Sequence, residues 1–140
     1  MTTIAYRDGV LAADTQMTAG GWIRPGRAKK LMRLEDGTLL GICGTYATAL
    51  KAMSQAAAGE DVKTVEDDTV VRIAPDGSID IFQAGASYAL EGAEFYAWGS
   101  GHSVALGAMH AGASAEEAVR IATLVDNETG GDVVSVRHEA

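Results

Sequence analysis

Thr2 brings together two groups that could do chemistry. Once Met1 is removed, this residue carries a β-hydroxyl and a free α-amine. An α-amine titrates at roughly 7.7–8.0, near the pH where a general base works best. Nucleophile and base then sit on one residue, and the reaction they fit is attack on an acyl carbon. Retention of Met1 ties the same nitrogen into a peptide bond and removes the base. Two rival motifs are weaker. Gly99-Ser100-Gly101 before a helix looks like a dinucleotide-binding turn, but the third glycine and a βαβ context with an acidic residue about 20 positions on are missing. Ser100 with His102 has neither the spacing to face each other on a helix nor the outer glycines of a nucleophile elbow.

The elements that must position Thr2 are marked by turns. Asp8-Gly9, Asp36-Gly37 and Asp76-Gly77 each separate two apolar runs, as tight hairpins do. They predict strands over residues 3–7 and 10–14, 30–34 and 38–43, and 70–74 and 78–83. Further strands are expected at 95–98 and near 133–137. An alanine-rich stretch at 46–58 predicts a helix with Tyr46, Leu50, Met53 and Ala57 on one face, stopped by Gly59. A second helix is expected to begin after Gly101 and end near Gly112. A third begins at Ser114, where Ser114-Ala115-Glu116-Glu117 has capping-box spacing, and runs to about Asp126.

The 140 residues, 47% hydrophobic, fit one domain spanning 1–140. A net charge of −8 argues against nucleic acid and anionic membrane surfaces. No bilayer-length apolar run is present, so cytoplasm is the expected compartment. The single Cys43 and the scattered His102, His110 and His138 offer no metal-ligand spacing, and neither metal nor cofactor is expected.

The order of motifs resembles the N-terminal-nucleophile hydrolases of the proteasome β-subunit type, including the proteolytic subunit of the bacterial HslUV protease. Thr2-Thr3-Ile4 is similar to the mature start of these proteins, and Val10-Leu11-Ala12-Ala13-Asp14 to the strand ending in their catalytic aspartate. Gly26-Arg27-Ala28-Lys29-Lys30-Leu31-Met32-Arg33-Leu34 resembles the stretch with the catalytic lysine, which falls on Lys30. Gly41-Ile42-Cys43-Gly44 places the oxyanion donor on Gly44, and Trp98-Gly99-Ser100-Gly101 places the accessory serine on Ser100. Asp126-Asn127-Glu128-Thr129-Gly130-Gly131 places the remaining aspartate and hydroxyl on Asp126 and Thr129.

This resemblance implies an α+β, four-layer αββα sandwich of two antiparallel sheets, acting as a threonine endopeptidase or amidase. Lys30 would disfavour protonation of the amine, with Asp14 holding Lys30 charged. It also implies a specificity pocket formed by Met17, Ala28, Met32, Ile42, Tyr46 and, less directly, Leu50. None is charged, which predicts an apolar side chain on the acyl side of the scissile bond. Where the family has a second long helix, residues 59–69 provide only a loop, so one outer helical layer is expected to be shortened. A homo-oligomer and a peptide or unfolded-protein substrate are implied; docking of an ATPase is left open. The alternatives are a non-catalytic, self-assembling structural subunit of the same fold and an amidase for a small non-peptide acyl compound.

Overall fold

A strand covered on one face alternates apolar with polar residues, whereas one sandwiched between two layers is apolar throughout. The run Val10-Leu11-Ala12-Ala13 is of the second kind, with all four residues buried. A computed structural model of the protein, in which residues 2–139 are described, shows what covers them. The strands are β1 (Thr3–Arg7), β2 (Val10–Ala13), β3 (Met17–Ala19), β4 (Trp22–Arg24), β5 (Leu31–Arg33) and β6 (Leu39–Cys43), followed by helix α1 (Tyr46–Ala57). Then come β7 (Thr69–Ile73), β8 (Ile79–Gln83), β9 (Ala86–Ala89), β10 (Phe95–Gly99), α2 (His102–His110), α3 (Ala115–Val125) and β11 (Val134–Arg137).

Two antiparallel sheets, ordered β10-β1-β2-β11 and β5-β6-β7-β8-β9, pack face to face. Between them lies a core that includes Ile4, Tyr6 and Leu11 from the first sheet and Leu39, Val71, Ile73 and Ile81 from the second. The alternate residues point outward. Ala5, Val10, Ala12 and Ala97 pack under α2 and α3 against Ala105, Met109, Ala118 and Val119. Leu40, Ile42 and Val70 pack under α1 against Ala49, Ala52, Met53 and Ala56. The result is the expected αββα layering, with three helices in all among the described residues.

The Asp-Gly pairs all turn hairpins, by two different devices. At Asp8-Gly9 both residues have positive φ, 52° and 77°, the pattern of a two-residue hairpin loop. At the other two pairs only the glycine does, and the aspartate braces the turn: Asp36 accepts from the Thr38 N–H at 2.9 Å and Asp76 from the Ser78 N–H at 2.9 Å. The capping box of α3 is present in both directions, Ser114 N–H to Glu117 and Glu117 N–H to Ser114, each at 3.1 Å.

Three features depart from the sequence expectations. The buried stripe of α1 is Ala49, Ala52, Met53 and Ala56, with Tyr46, Leu50 and Ala57 half-buried beside it, because small alanines let the helix sit close to the sheet. The hairpin β3–β4 and the edge strand β9 were not expected. Every residue of β4 and β9 is exposed, so neither carries a burial pattern to read. Residues 59–68 hold no helix, as expected, which among the described residues leaves α1 as the helix on the outer face of the five-stranded sheet. No helix among the described residues is long and apolar enough to cross a membrane.

Candidate active site

Thr2 stands just before β1, Asp14 just after β2, and Lys30 just before β5. The β1–β2 register pairs Ile4 with Ala13, which puts Thr2 and Asp14 at the same end of the first sheet. The Ile42 N–H donates to the Lys30 carbonyl at 3.0 Å, which fixes Lys30 at the adjoining end of the second sheet. All three side chains are buried.

Asp14 is fully enclosed, and its oxygens are well supplied with donors. Oδ1 accepts from the Thr2 hydroxyl, from Lys30 Nζ at 2.9 Å and from the Thr3 N–H at 3.1 Å; Oδ2 accepts from the Gly130 N–H at 3.0 Å. Lys30 Nζ also donates to Thr2 Oγ1 at 2.5 Å. A hydroxyl in this setting has a cation against its oxygen, so negative charge developing there meets an ammonium. Burial pulls the Lys30 ammonium below its ordinary value of 10.5, more than the charge and hydrogen bond of Asp14 hold it up. Beside it the Cys43 thiol is pushed up to about 11, chiefly by burial, which keeps it a thiol at neutral pH and a poor competitor as nucleophile.

Ser100, Asp126 and Thr129 form a second cluster on the other side of Thr2. Ser100 Oγ lies 3.2 Å from the Thr2 carbonyl oxygen and 2.6 Å from Asp126 Oδ2. Thr129 donates to the same oxygen at 2.5 Å, and its Oγ1 lies 2.7 Å from that of the wholly buried Thr3. Burial raises the Asp126 pKa, but the hydrogen bonds from Ser100, Thr129 and the Glu128 N–H outweigh it and hold the carboxyl below its usual range. Asp126 therefore keeps its charge to lower pH than a free aspartate. Gly99 packs so tightly on the Thr2 carbonyl that a Cβ there would collide with it.

A cleft of about 400 Å³ opens over Thr2 and Lys30. Its walls include Met17, Ala28, Ile42, Gly44 and Tyr46, so four of the expected pocket residues and the expected oxyanion donor share one cavity with the hydroxyl. Met32 and Leu50 do not line it; both pack at the edge of the cluster between the second sheet and α1. The β3–β4 hairpin forms another wall through Thr18, Ala19, Gly20 and Gly21, and Glu66, Asp67, Asp68 and Glu128 give the cleft an acidic side.

Neither a protein-family model nor a curated protein sequence matches this chain. Solved structures do. HslV from Trypanosoma brucei superposes with a TM-score of 0.69 at 20% identity, over 98% of this chain and 99% of that one. The fold is that of HslV. The BPH protein of Thiobacillus denitrificans is similar at a TM-score of 0.63 and 23% identity, over 96% of this chain and 95% of that one. The same protein in complex with epoxomicin matches equally well, over 96% of each chain. At these identities the likeness is one of architecture, a four-layer αββα sandwich.

Within this HslV fold, several residues of the site carry no local mark in the sequence. Thr3 and Gly130 lie within motifs that were recognised, yet their bonds to Thr129 and Asp14 depend on a tertiary contact between the chain's two ends. Asp68, with Glu66 and Asp67, lies in an acidic run that no local pattern ties to the cleft until the fold brings Asp68 beside Gly44.

Proposed function

We propose that the protein is a threonine hydrolase acting on peptide bonds once Met1 is removed; Met1 itself lies outside the described residues. The observation that carries this reading is the buried contact of the Thr2 hydroxyl with Lys30 and Asp14 at the floor of a cleft. Thr2 Oγ attacks the substrate carbonyl as the α-amine, directly or through water, accepts the hydroxyl proton. The tetrahedral oxyanion is met by the Gly44 N–H, and the Lys30 ammonium favours the alkoxide. Collapse expels the leaving amine with the proton held by the α-amine, giving an ester on Thr2. Water then attacks that ester, passes a proton back through the amine, and releases the acid and Thr2. Ser100, Asp126 and Thr129 orient the Thr2 main chain and its amine. The epoxomicin complex of the Thiobacillus denitrificans protein makes peptide epoxyketones the natural probes for this chain.

The cleft composition sets a substrate preference. Met17, Ala28, Ile42 and Tyr46 reward an apolar side chain, while Glu66 and Asp67 repel an acidic one. Lysine or arginine, able to bury its stem and leave its charge at the acidic side, should fall between. In a fluorogenic peptide panel, kcat/KM for Leu or Phe on the acyl side should exceed that for Asp by about 10²-fold or more. Faster cleavage after Asp than after Leu would show that this cleft is not the specificity pocket.

Self-association is also part of the proposal. The exposed face of α1 is largely polar, but α3 leaves Ile121, Leu124 and Val125 exposed, Leu124 at 81%. A patch of this kind favours contact with another copy. Light scattering at micromolar concentration should therefore report an oligomer, and Leu124→Glu should reduce it. A wild-type monomer under those conditions would refute this part.

A further inference from the structure

We propose that Asp68 is a positioning residue that fixes the direction of the Gly44 N–H, an inference that rests on the proposed hydrolase reading. The side chain is 2% exposed and forms no ion pair among the described residues. Carboxylates in such a setting are costly to bury and need donors that fully satisfy them. Asp68 has them at the start of α1: Oδ1 accepts from the Thr45 N–H at 2.8 Å and Oδ2 from the Thr48 hydroxyl at 2.5 Å. Thr45, the N-cap, makes no side-chain cap of its own, and the first turn of α1 has no acidic residue. Asp68 supplies both the acceptor and the negative charge that this helix end lacks.

The consequence for Gly44 follows from what holds it on either side. Before it, Cys43 is paired with Thr69 in the β6–β7 ladder. After it, Thr45 is bonded to Asp68. Two consecutive residues, 68 and 69, therefore grip the two residues that flank Gly44. Gly44 itself sits at φ +121°, and a Cβ on it would run into the Asp68 carboxyl and lie 2.7 Å from the Asp68 Cα. Only glycine fits, and with both neighbours fixed its amide has one direction. The chain reaches this point because residues 59–68 return directly from α1 to β7. That return is anchored by Lys63 N–H to Gln55 at 2.8 Å and by Gly85 N–H to Thr64 at 3.0 Å.

A residue acting only as a helix cap would change stability and leave the chemistry alone. Asp68→Ala should instead lower kcat about 10²-fold with KM within about twofold, because an oxyanion donor out of line is felt in the transition state. Asp68→Asn, whose carbonyl still accepts from the Thr45 N–H, should recover most of the loss. Thr45→Pro removes the N–H without touching the carboxylate. The Thr45 φ of −72° suits proline, so this variant tests the bond even if Asp68→Ala does not fold. It should reproduce the fall in kcat. The Gly44 amide resonance should move in Asp68→Ala and Thr45→Pro and stay in place in Asp68→Asn. Full kcat in folded Asp68→Ala or in Thr45→Pro would overturn the proposal. If the wild-type protein hydrolyses no peptide, the hydrolase reading fails separately. The Gly44 resonance then decides, and an unmoved signal in both variants refutes the positioning role.

Discussion

Thr2→Ala is expected to abolish peptide hydrolysis and covalent labelling by peptide epoxyketones while leaving the fold intact. The substitution removes the hydroxyl that touches both Lys30 and Asp14, and the Lys30–Asp14 ion pair at 2.9 Å survives without it. Alanine fills less space at a site 2% exposed, but the loss is a hydroxyl and a methyl, small against the cost of emptying a core position. Loss of activity with an unchanged circular-dichroism spectrum and melting temperature would thus report chemistry. Undiminished turnover would assign the nucleophile elsewhere.

The second large effect belongs to Lys30. Lys30→Met, which keeps the length of the stem, should lower kcat by at least about 10²-fold, the scale of lost electrostatic or proton-transfer assistance. Stability should fall as well, since removing the cation from a buried pair typically costs about 3–5 kcal/mol. Here Asp14 still accepts from the Thr2 hydroxyl and the Thr3 and Gly130 amides, so the folded state should persist. The pH dependence separates the ammonium from a merely structural lysine. Burial, opposed less strongly by Asp14, sets the Lys30 pKa below 10.5, so the charge that meets the alkoxide is lost at lower pH than in free lysine. Wild-type kcat should therefore decline on the alkaline side below pH 10.5, and Lys30→Met should lack that decline. Full activity in the variant, or an alkaline limb unchanged by it, would return Lys30 to a structural role.

Local signals made much of this architecture readable. Asp8-Gly9, Asp36-Gly37 and Asp76-Gly77 located three hairpins because a turn is decided by a few adjacent residues. Ser114 and Glu117 located a helix start for the same reason. The places of Thr2, Asp14, Lys30, Ser100, Asp126 and Thr129 came from motif order. What stayed hidden depends on contacts distant in sequence. Asp68 lies 23 residues from Thr45, and Thr3 lies 126 from Thr129; no local pattern announces either bond. Met32 illustrates the opposite error: it lies two residues from Lys30, which lines the cleft, but its side chain packs toward α1. The fully exposed β4 carried no burial pattern, so the wall it helps support was invisible before the fold placed it.

The central claim is that Thr2 becomes an N-terminal nucleophile, and mass spectrometry of the protein from its native host tests it most directly. The intact mass should correspond to the chain without Met1, and incubation with a peptide epoxyketone should add one inhibitor mass that maps to Thr2. A folded protein that retains Met1 and takes up no inhibitor would contradict the account.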